Sequence, residues 1–438
     1  MPDILDPPLV RAPRGAWWSD LRPLVLRLHF TVGLFVGPFL LVAALTGFAY
    51  TLTPQLEQLV HRHELTVPVG VERLPLQPQV AAAVAAVPDG TVTEIRPPRT
   101  ADGTTRVSFD APGVREGYTR TAFVDPYTAQ VRGVLGTYGE WLPVRAWVDE
   151  LHRTLLLGDV GRVYSDLAAS WLGVLVVSGL ALWIVRRRRH HRLRRTLLPD
   201  GSARGRARLR SWHGAVGLWA AAGMLFLPAT GLTWSQYAGA HVTELRTSLD
   251  WSAPSVDRTL PPGAADPGPP GATAERVLAA ARTAGLSDPV AILPAQDRAW
   301  VVEQVQRSWP EKQDAVAVDP VSGAVLDELR FADWPLAARL ARWGVDAHMG
   351  LLFGAANQVI LAALALGTAC LVVWGYRMWW LRRPGGTRRP STGAVLVVGL
   401  AAIALGLLLP VLGVSLLAFL LVDAARGHVR ARRVRTPR

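Results

Sequence analysis

The chain has 438 residues, 50% hydrophobic and 18% charged, with a positive mean hydropathy of +0.22 and a formal net charge of +13. This composition excludes disorder as the main state, because disorder needs low hydrophobicity. Lys312 is the only lysine, so the basic excess is arginine, and it falls in short blocks beside apolar runs rather than along one face; that is how a membrane protein carries its cytoplasmic charge, and no nucleic-acid partner is expected. The single cysteine, Cys370, excludes a disulfide framework, a cysteine zinc site, a cysteine-held iron–sulfur cluster and C-x-x-C-H haem attachment.

In chain order, residues 1–27 read as a cytoplasmic N-terminus with Arg11, Arg14, Arg22 and Arg27. A first transmembrane helix follows over 28–52, too long for a signal-peptide core and without a small-residue cleavage site. Residues 53–150 form a first external domain, with a helix expected over 77–87, strands over 92–95, 105–109 and 121–124, and a turn at Asp125-Pro126. Residues 151–185 hold a His-bearing segment and the second transmembrane helix; 186–211 is a basic cytoplasmic loop opening with Arg186, Arg187, Arg188 and Arg189. The third transmembrane helix is expected over 212–238. The second external domain spans 239–345, entered by a Pro/Gly-rich linker over 261–271. It repeats the pattern of the first: helix over 274–284, strands over 290–293, 300–305 and 315–318, and a turn at Asp319-Pro320. Residues 346–380 hold a second His-bearing segment and the fourth transmembrane helix, followed by Arg382, Arg383, Arg388 and Arg389. The apolar stretch 392–422, divided by Pro410, reads as a helical hairpin, with one kinked helix as the alternative; 423–438 is a basic cytoplasmic tail. Each span is near the ~20 residues a bilayer crossing needs. The arginine blocks place the N-terminus inside and the two long connections outside a plasma membrane that the chain crosses several times.

The chain repeats itself. His29 and Gly33 of the first span, with Thr46-Gly47, recur at identical spacing as His213, Gly217 and Thr230-Gly231 of the third. His152, Gly158, Trp183 and Arg186 recur at identical spacing as His348, Gly354, Trp379 and Arg382. The unit copied is span, external domain, span. Spans one and three run outward and two and four inward, so His29 and His213 lie near the cytoplasmic face and His152 and His348 near the outer face. Ionisable groups at span ends need a reason. Two facing imidazoles suit the axial positions of one haem iron in a helical bundle. Gly33, Gly37, Gly217, Gly158 and Gly354 would let a flat macrocycle approach the backbone. The bland reading is that the four histidines only hydrogen-bond at headgroup level. His190, His191 and His428 sit in basic segments, and His61-Arg62-His63 reads as a surface cluster rather than a metal tract.

The stretch Leu151-His152-Arg153-Thr154-Leu155-Leu156-Leu157-Gly158 with Gly161-Arg162 and Ser178-Gly179-Leu180-Ala181-Leu182-Trp183 resembles the PepSY-associated transmembrane helix family. So does His348 through Gly354, Asn357 and Gln358, with Gly375-Tyr376-Arg377-Met378-Trp379-Trp380. The segments ending at Asp125-Pro126 and Asp319-Pro320 resemble PepSY modules, although Ala129 replaces the glycine usual after the first turn. The resemblance covers about residues 20–385 and implies a bacterial inner-membrane protein of a family that includes b-type dihaem reductases of ferric siderophores. It implies two bis-histidine haem b groups, at His29 with His213 and at His152 with His348. Its partners would be a ferric siderophore or other iron chelate, a membrane electron donor such as a quinol, and the lipid bilayer. Along a helix His29 and Thr46 are ~25 Å apart, and haems set in from each face would be nearer than that. Arg153 and Arg162 flank the outer site; haem propionates and lipid headgroups are equally suitable partners. Trp171, Trp183, Trp374, Trp379 and Trp380 read as interfacial aromatic-belt residues. The expected fold is an all-α membrane core, a four-helix bundle from duplication plus a C-terminal hairpin, with two small α+β PepSY-like external modules. Two rival functions remain: a membrane-anchored regulator of an external peptidase, and a non-redox component of iron-chelate uptake.

Overall fold

The computed structural model describes residues 16–188, 197–262, 266–381 and 392–435. Arg11, Arg14, Arg189, His190, His191, Arg382, Arg383, Arg388 and Arg389 lie outside the described residues, as do the side chains of residues 186–188 and of the basic tail.

The first copy of the repeat contains α1 (Ala16–Thr51), α2 (Thr53–Val60), α3 (Arg62–Leu65), α4 (Leu76–Ala86), strands β1 (Thr91–Arg96), β2 (Thr105–Asp110), β3 (Thr119–Val124) and β4 (Val131–Thr137), then α5 (Pro143–Thr154) and α6 (Gly158–Arg188). The second contains α7 (Gly205–Gly231), α8 (Ala238–Ser248), α9 (Pro270–Thr283), strands β5 (Val290–Leu293), β6 (Trp300–Gln304), β7 (Ala315–Val318) and β8 (Val325–Leu329), then α10 (Leu336–His348) and α11 (Gly354–Trp380). The chain closes with α12 (Thr392–Leu408) and α13 (Pro410–Arg435). Two compact units result: Met1–Leu45, Leu157–Val242 and Leu364–Arg438 in one, Thr46–Leu156 and Thr243–Ala363 in the other.

The first unit is helical. Among the described residues, Leu21–Thr51, Gly158–Val185, Gly205–Trp234 and Gly354–Trp380 are long and apolar enough to cross a membrane. Val32, Val36 and Leu40 of α1 pack with Ala168 and Trp171 of α6 and Leu412 of α13. Val176 of α6 packs with Ala220, Ala221 and Met224 of α7 and Leu371 of α11. Trp171 is therefore a core residue rather than part of an aromatic belt, and its Nε1 donates to Ser415 Oγ at 2.9 Å. Pro38 has no N–H, which strips the carbonyl of Leu34 of its helical donor. The hydroxyl of Tyr376 donates to that carbonyl, as an apolar surrounding requires. The apolar C-terminal stretch breaks at Leu409. A Cβ built on Gly406 would lie 2.8 Å from Cα of Gly413, whereas seven residues of straight helix span about 10 Å, so the chain folds back on itself at Pro410.

The second unit is built on one antiparallel sheet in the order β4-β3-β2-β1-β5-β6-β7-β8. The sequence suggests two separate modules; the structure joins them through β1 and β5, with Ile95 opposite Ile292. Each module alone would leave its first strand as an open edge, and the junction closes both. Each module also has a fourth strand beyond the expected three. β4 carries Gly133 and Gly136 and β8 carries Asp327 and Glu328, residues that weaken a strand signal. α4 and α9 cover one face, burying Val80, Ala83, Val277 and Ala281 against Ile95, Phe109, Ile292 and Val302. On the other face Val256 packs on Ala299, Val301 and Ala317. Both Asp-Pro turns close alike: Asp125 Oδ1 accepts the Tyr127 N–H and Asp319 Oδ1 the Val321 N–H, each at 2.8 Å.

Candidate functional site

The helical unit brings two of the singled-out histidines together. His29 of α1 and His213 of α7 have ring centroids 6.3 Å apart with planes at 88°. That spacing serves an edge-to-face ring pair. It also matches two imidazoles holding one metal from opposite sides at roughly 2 Å each. His213 Nδ1 lies 3.1 Å from the carbonyl oxygen of Leu371, which can only accept, so Nδ1 carries the proton. His213 is thereby the tautomer whose Nε2 lone pair is available. His29 Nδ1 lies 2.9 Å from Ser178 Oγ, and that hydroxyl reaches the carbonyl of Leu175 at 3.1 Å. The serine has one proton and two acceptors within reach, so this contact accommodates either tautomer of His29.

His152 and His348 end two short helices in equivalent places, α5 and α10. Each helix presents a buried face, at Ala146 and Val148 in one and Ala338 and Asp346 in the other. His152 Nδ1 lies 2.9 Å from Thr46 Oγ1 of α1. Burial, aided by the Arg153 charge, pushes the His152 pKa down to about 4, so its ring is neutral at physiological pH. Arg307 Nη2 contacts Asp346 at 2.5 Å and Met349 Sδ at 3.2 Å, on either side of His348 in sequence, and its Nη1 reaches Glu140 at 2.8 Å. Asn357 of the family motif donates to the Ala347 carbonyl at 2.9 Å.

The glycines act differently from the sequence reading. Gly158 and Gly354 take φ of +58° and +56° at the starts of α6 and α11, a turn role. Gly37 lies against the Tyr376 ring. The glycines that meet histidine rings are Gly47, where a Cβ would sit 3.2 Å from His152 Cε1, and Gly179, where it would sit 3.1 Å from His29 Cε1. Thr46, Gly47, Ser178 and Gly179 thus cradle two histidines, and no role for them is evident from the sequence. The signal present was the Thr-Gly pair recurring at fixed distance from a histidine in both copies.

Arg153 forms an ion pair with Asp149 one turn earlier, at 3.5 Å, and Arg162 is half-buried near the start of α6. His61 lies 3.9 Å from Glu64, while His63 faces Arg132 at 3.0 Å, so the tract does not gather around one point. Among the described residues no three His, Cys, Asp or Glu side chains cluster as for a bare metal ion.

A family model described as the PepSY-associated TM region matches residues 26–382. The chain belongs to this family. The match runs from just before His29 to just after Trp380 and so takes in all four histidines, both turns and all eight strands of this PepSY-associated membrane protein. No curated protein matches the chain.

Proposed function

We propose that this is a multi-pass protein of the bacterial inner membrane, N-terminus inside, that carries two b-type haems and moves electrons outward to reduce an extracytoplasmic ferric chelate. The observation that supports it is the His29–His213 pair, two imidazoles at a ring spacing suited to one metal between them, with His213 Nδ1 donating to the Leu371 carbonyl. His152 Nδ1 lies 2.9 Å from Thr46 Oγ1, and His348 is its equivalent in the second copy. The donor set fits haem: paired imidazoles, with glycine beside the His29 and His152 rings.

His29 with His213 and His152 with His348 would hold the haems, which would supply a one-electron Fe(III)/Fe(II) couple at each pair. The chain's own part is to fix ring orientation through Ser178, Thr46 and the Leu371 carbonyl, and to hold the outer histidines on helices clamped by Arg307. A cytoplasmic-side or quinol donor would serve the His29/His213 side and the chelate the His152/His348 side. Arg153 and Arg162 remain candidates for haem propionates.

The test is the visible spectrum of protein purified from haem-replete cells. A Soret band with a split α-region on reduction is expected. A colourless preparation overturns the reading and leaves the two haem-free functions, peptidase regulation and non-redox chelate uptake.

A further inference from the structure

Three short helices of the sheet-bearing unit are built inside out. A helix on a water-facing surface turns its apolar stripe toward the protein and its charges toward solvent. In α2 the buried residues are Thr53 and Glu57, while Leu56, Leu59 and Val60 are exposed, Leu59 to 74%. In α5 the exposed residue is Trp147, at 54%, and Arg145 is buried. In α10 the exposed residues are Leu336 and Leu340, at 60% and 55%, and Asp346 is fully buried.

The charges turned inward are matched there. Glu57 Oε1 accepts the backbone N–H of Arg145 at 3.1 Å. The Arg145 guanidinium donates to the Tyr50 hydroxyl at 3.0 Å and lies over the rings of Tyr50 and Trp141, 5.2 Å from each centroid. Asp346 pairs with Arg307 and Arg342. A leucine side chain moved from water into an apolar medium gains about 1.5–3 kcal/mol. Faces of leucine and tryptophan backed by buried charge therefore suit an apolar medium on their outer side.

Their position identifies that medium. α2 starts at Thr53, directly after α1 ends at Thr51; α5 ends at Thr154, ahead of α6 at Gly158; α10 ends at His348, ahead of α11 at Gly354. Gln55 Nε2 donates to Gln358 Oε1 at 2.8 Å, which sets α2 level with the opening turns of α11. Trp309, also exposed, donates its backbone N–H to the Leu352 carbonyl at 2.7 Å, and its ring lies 5.7 Å from that of Trp343 on α10. Trp147 and Trp343 stand equally far ahead of His152 and His348. Tryptophan at the end of a span is the side chain of the membrane–water interface. A protein partner would have to fit three faces that share no residue pattern, whereas a lipid surface asks only that they be apolar.

We propose that α2, α5 and α10 are interfacial helices that sink their outward faces into the leaflet where α1 ends and α6 and α11 begin, which sets His152 and His348 at lipid depth. The inference needs only that the spans cross a bilayer and is independent of haem. Cys370 is the only cysteine, so Cys370→Ser gives a background for single spin-labelled cysteines in the full-length protein. The probe surface is a vesicle of phosphatidylethanolamine and phosphatidylglycerol. Labels at Leu59→Cys, Trp147→Cys and Leu340→Cys should collide with oxygen more than with a water-soluble nickel chelate, at a depth of about 5–10 Å. Leu366→Cys, exposed on α11, should read deeper, and Arg120→Cys, exposed on β3, should show the reverse preference. Should a variant fail to fold, Leu56→Cys and Leu336→Cys repeat the measurement one turn away. Nickel accessibility equal to that of Arg120→Cys in any of the three helices overturns the proposal. So does dipolar broadening that vanishes on dilution with unlabelled protein, which would make these faces contacts between copies of the chain. A colourless protein whose labels read as lipid-exposed keeps this inference and sinks the haem reading; a haem-loaded protein whose labels read as water-exposed does the reverse.

Discussion

The two copies of the repeat hold their first histidine by different means. In copy one, His29 reaches Ser178, whose hydroxyl passes the contact on to the Leu175 carbonyl. In copy two, His213 reaches the Leu371 carbonyl directly. Leu175 and Leu371 stand equally far from His152 and His348, so the same carbonyl position ends both contacts, and Trp374 occupies the place of Ser178. The duplication kept the endpoint and let the connector diverge. The charged clamp diverged further: Arg307 of copy two bridges Glu140 of copy one to its own Asp346. Leu336 stands where a second copy of Glu140 would be, so the bridge has no mate. What the two halves share is the ring position, and what differs is the scaffold that holds it.

The largest effect should come from removing a histidine of each pair. His213→Ala should abolish the haem site proposed for it and His29, and His348→Ala the one proposed for it and His152. Haem per protein should fall by about half in each, with the low-spin bis-histidine signature kept by the remainder. Because the two pairs have different supports, the two residual spectra should be distinguishable. Identical spectra, or full haem content in both variants, would mean the histidines are structural.

Glu140→Gln should break the asymmetric clamp. Burial alone would raise the Glu140 pKa, but Arg96 and Arg307, with Arg99, pull it down to about 2 from 4.5. A folded-state pKa below the unfolded one means the stabilisation is complete above pH 4.5 and is lost as pH falls toward 2. Removing one partner of a buried ion pair costs about 3–5 kcal/mol. Hydrogen exchange at pH 7 should therefore quicken in α5 and α10 of the variant, and its difference from wild type should shrink toward acid. Equal protection at pH 7 would show that the clamp does not hold these helices.

The long elements were legible in the sequence because their signals are strong: spans of the length a bilayer demands, and an exact repeat of histidine spacings. The helices α4 and α9 and six of the eight strands also follow from patterning, ending at the Asp-Pro turns. What escaped is what depends on a partner distant in sequence. The pairing of β1 with β5 leaves no local trace, since an edge strand and a paired strand of the same residues read alike. Trp171 reads as interfacial until Ser415 is seen beside it. Of the candidate site, the histidines were visible by repetition. Ser178 and Gly179 were visible only as motif letters, because a residue that positions another has no chemistry of its own to reveal it.

Two glycine substitutions would sharpen the assignment of supports to sites. An alanine at 179 would place a methyl 3.1 Å from His29 Cε1, and one at 47 a methyl 3.2 Å from His152 Cε1. Each ring would have to give by a few tenths of an ångström against its Nδ1 contact, and overpacking of this kind costs about 1–3 kcal/mol. Gly179→Ala should shift the electron-paramagnetic-resonance signal of the His29/His213 site alone, and Gly47→Ala that of the other site alone. A crossed or shared response would show that each cradle serves both pairs.

The smallest effect concerns the two Asp-Pro turns. Both continue into a residue whose N–H returns to the Asp carbonyl at 2.9 Å: Ala129 to Asp125, and Gly323 to Asp319. Ala129 holds φ at +58° and Gly323 at +75°, so the first turn keeps its left-handed geometry although its glycine is missing. A left-handed conformation costs an L-residue roughly 1–2 kcal/mol. Glycine removes that strain but gives back about 0.4–1 kcal/mol through the freer unfolded chain. Ala129→Gly should then stabilise the sheet-bearing unit slightly, raising its melting temperature by roughly 1–3 °C. Gly323→Ala should do the opposite and by more, because the new methyl also meets Arg276 Cγ at 3.3 Å. The pair of variants is more decisive than either alone. Opposite signs mean that the two copies fold to one turn and differ only in strain. A loss of stability in both would mean that each turn has been tuned to its own residue, and that the copies have diverged in backbone preference as well as in side chains.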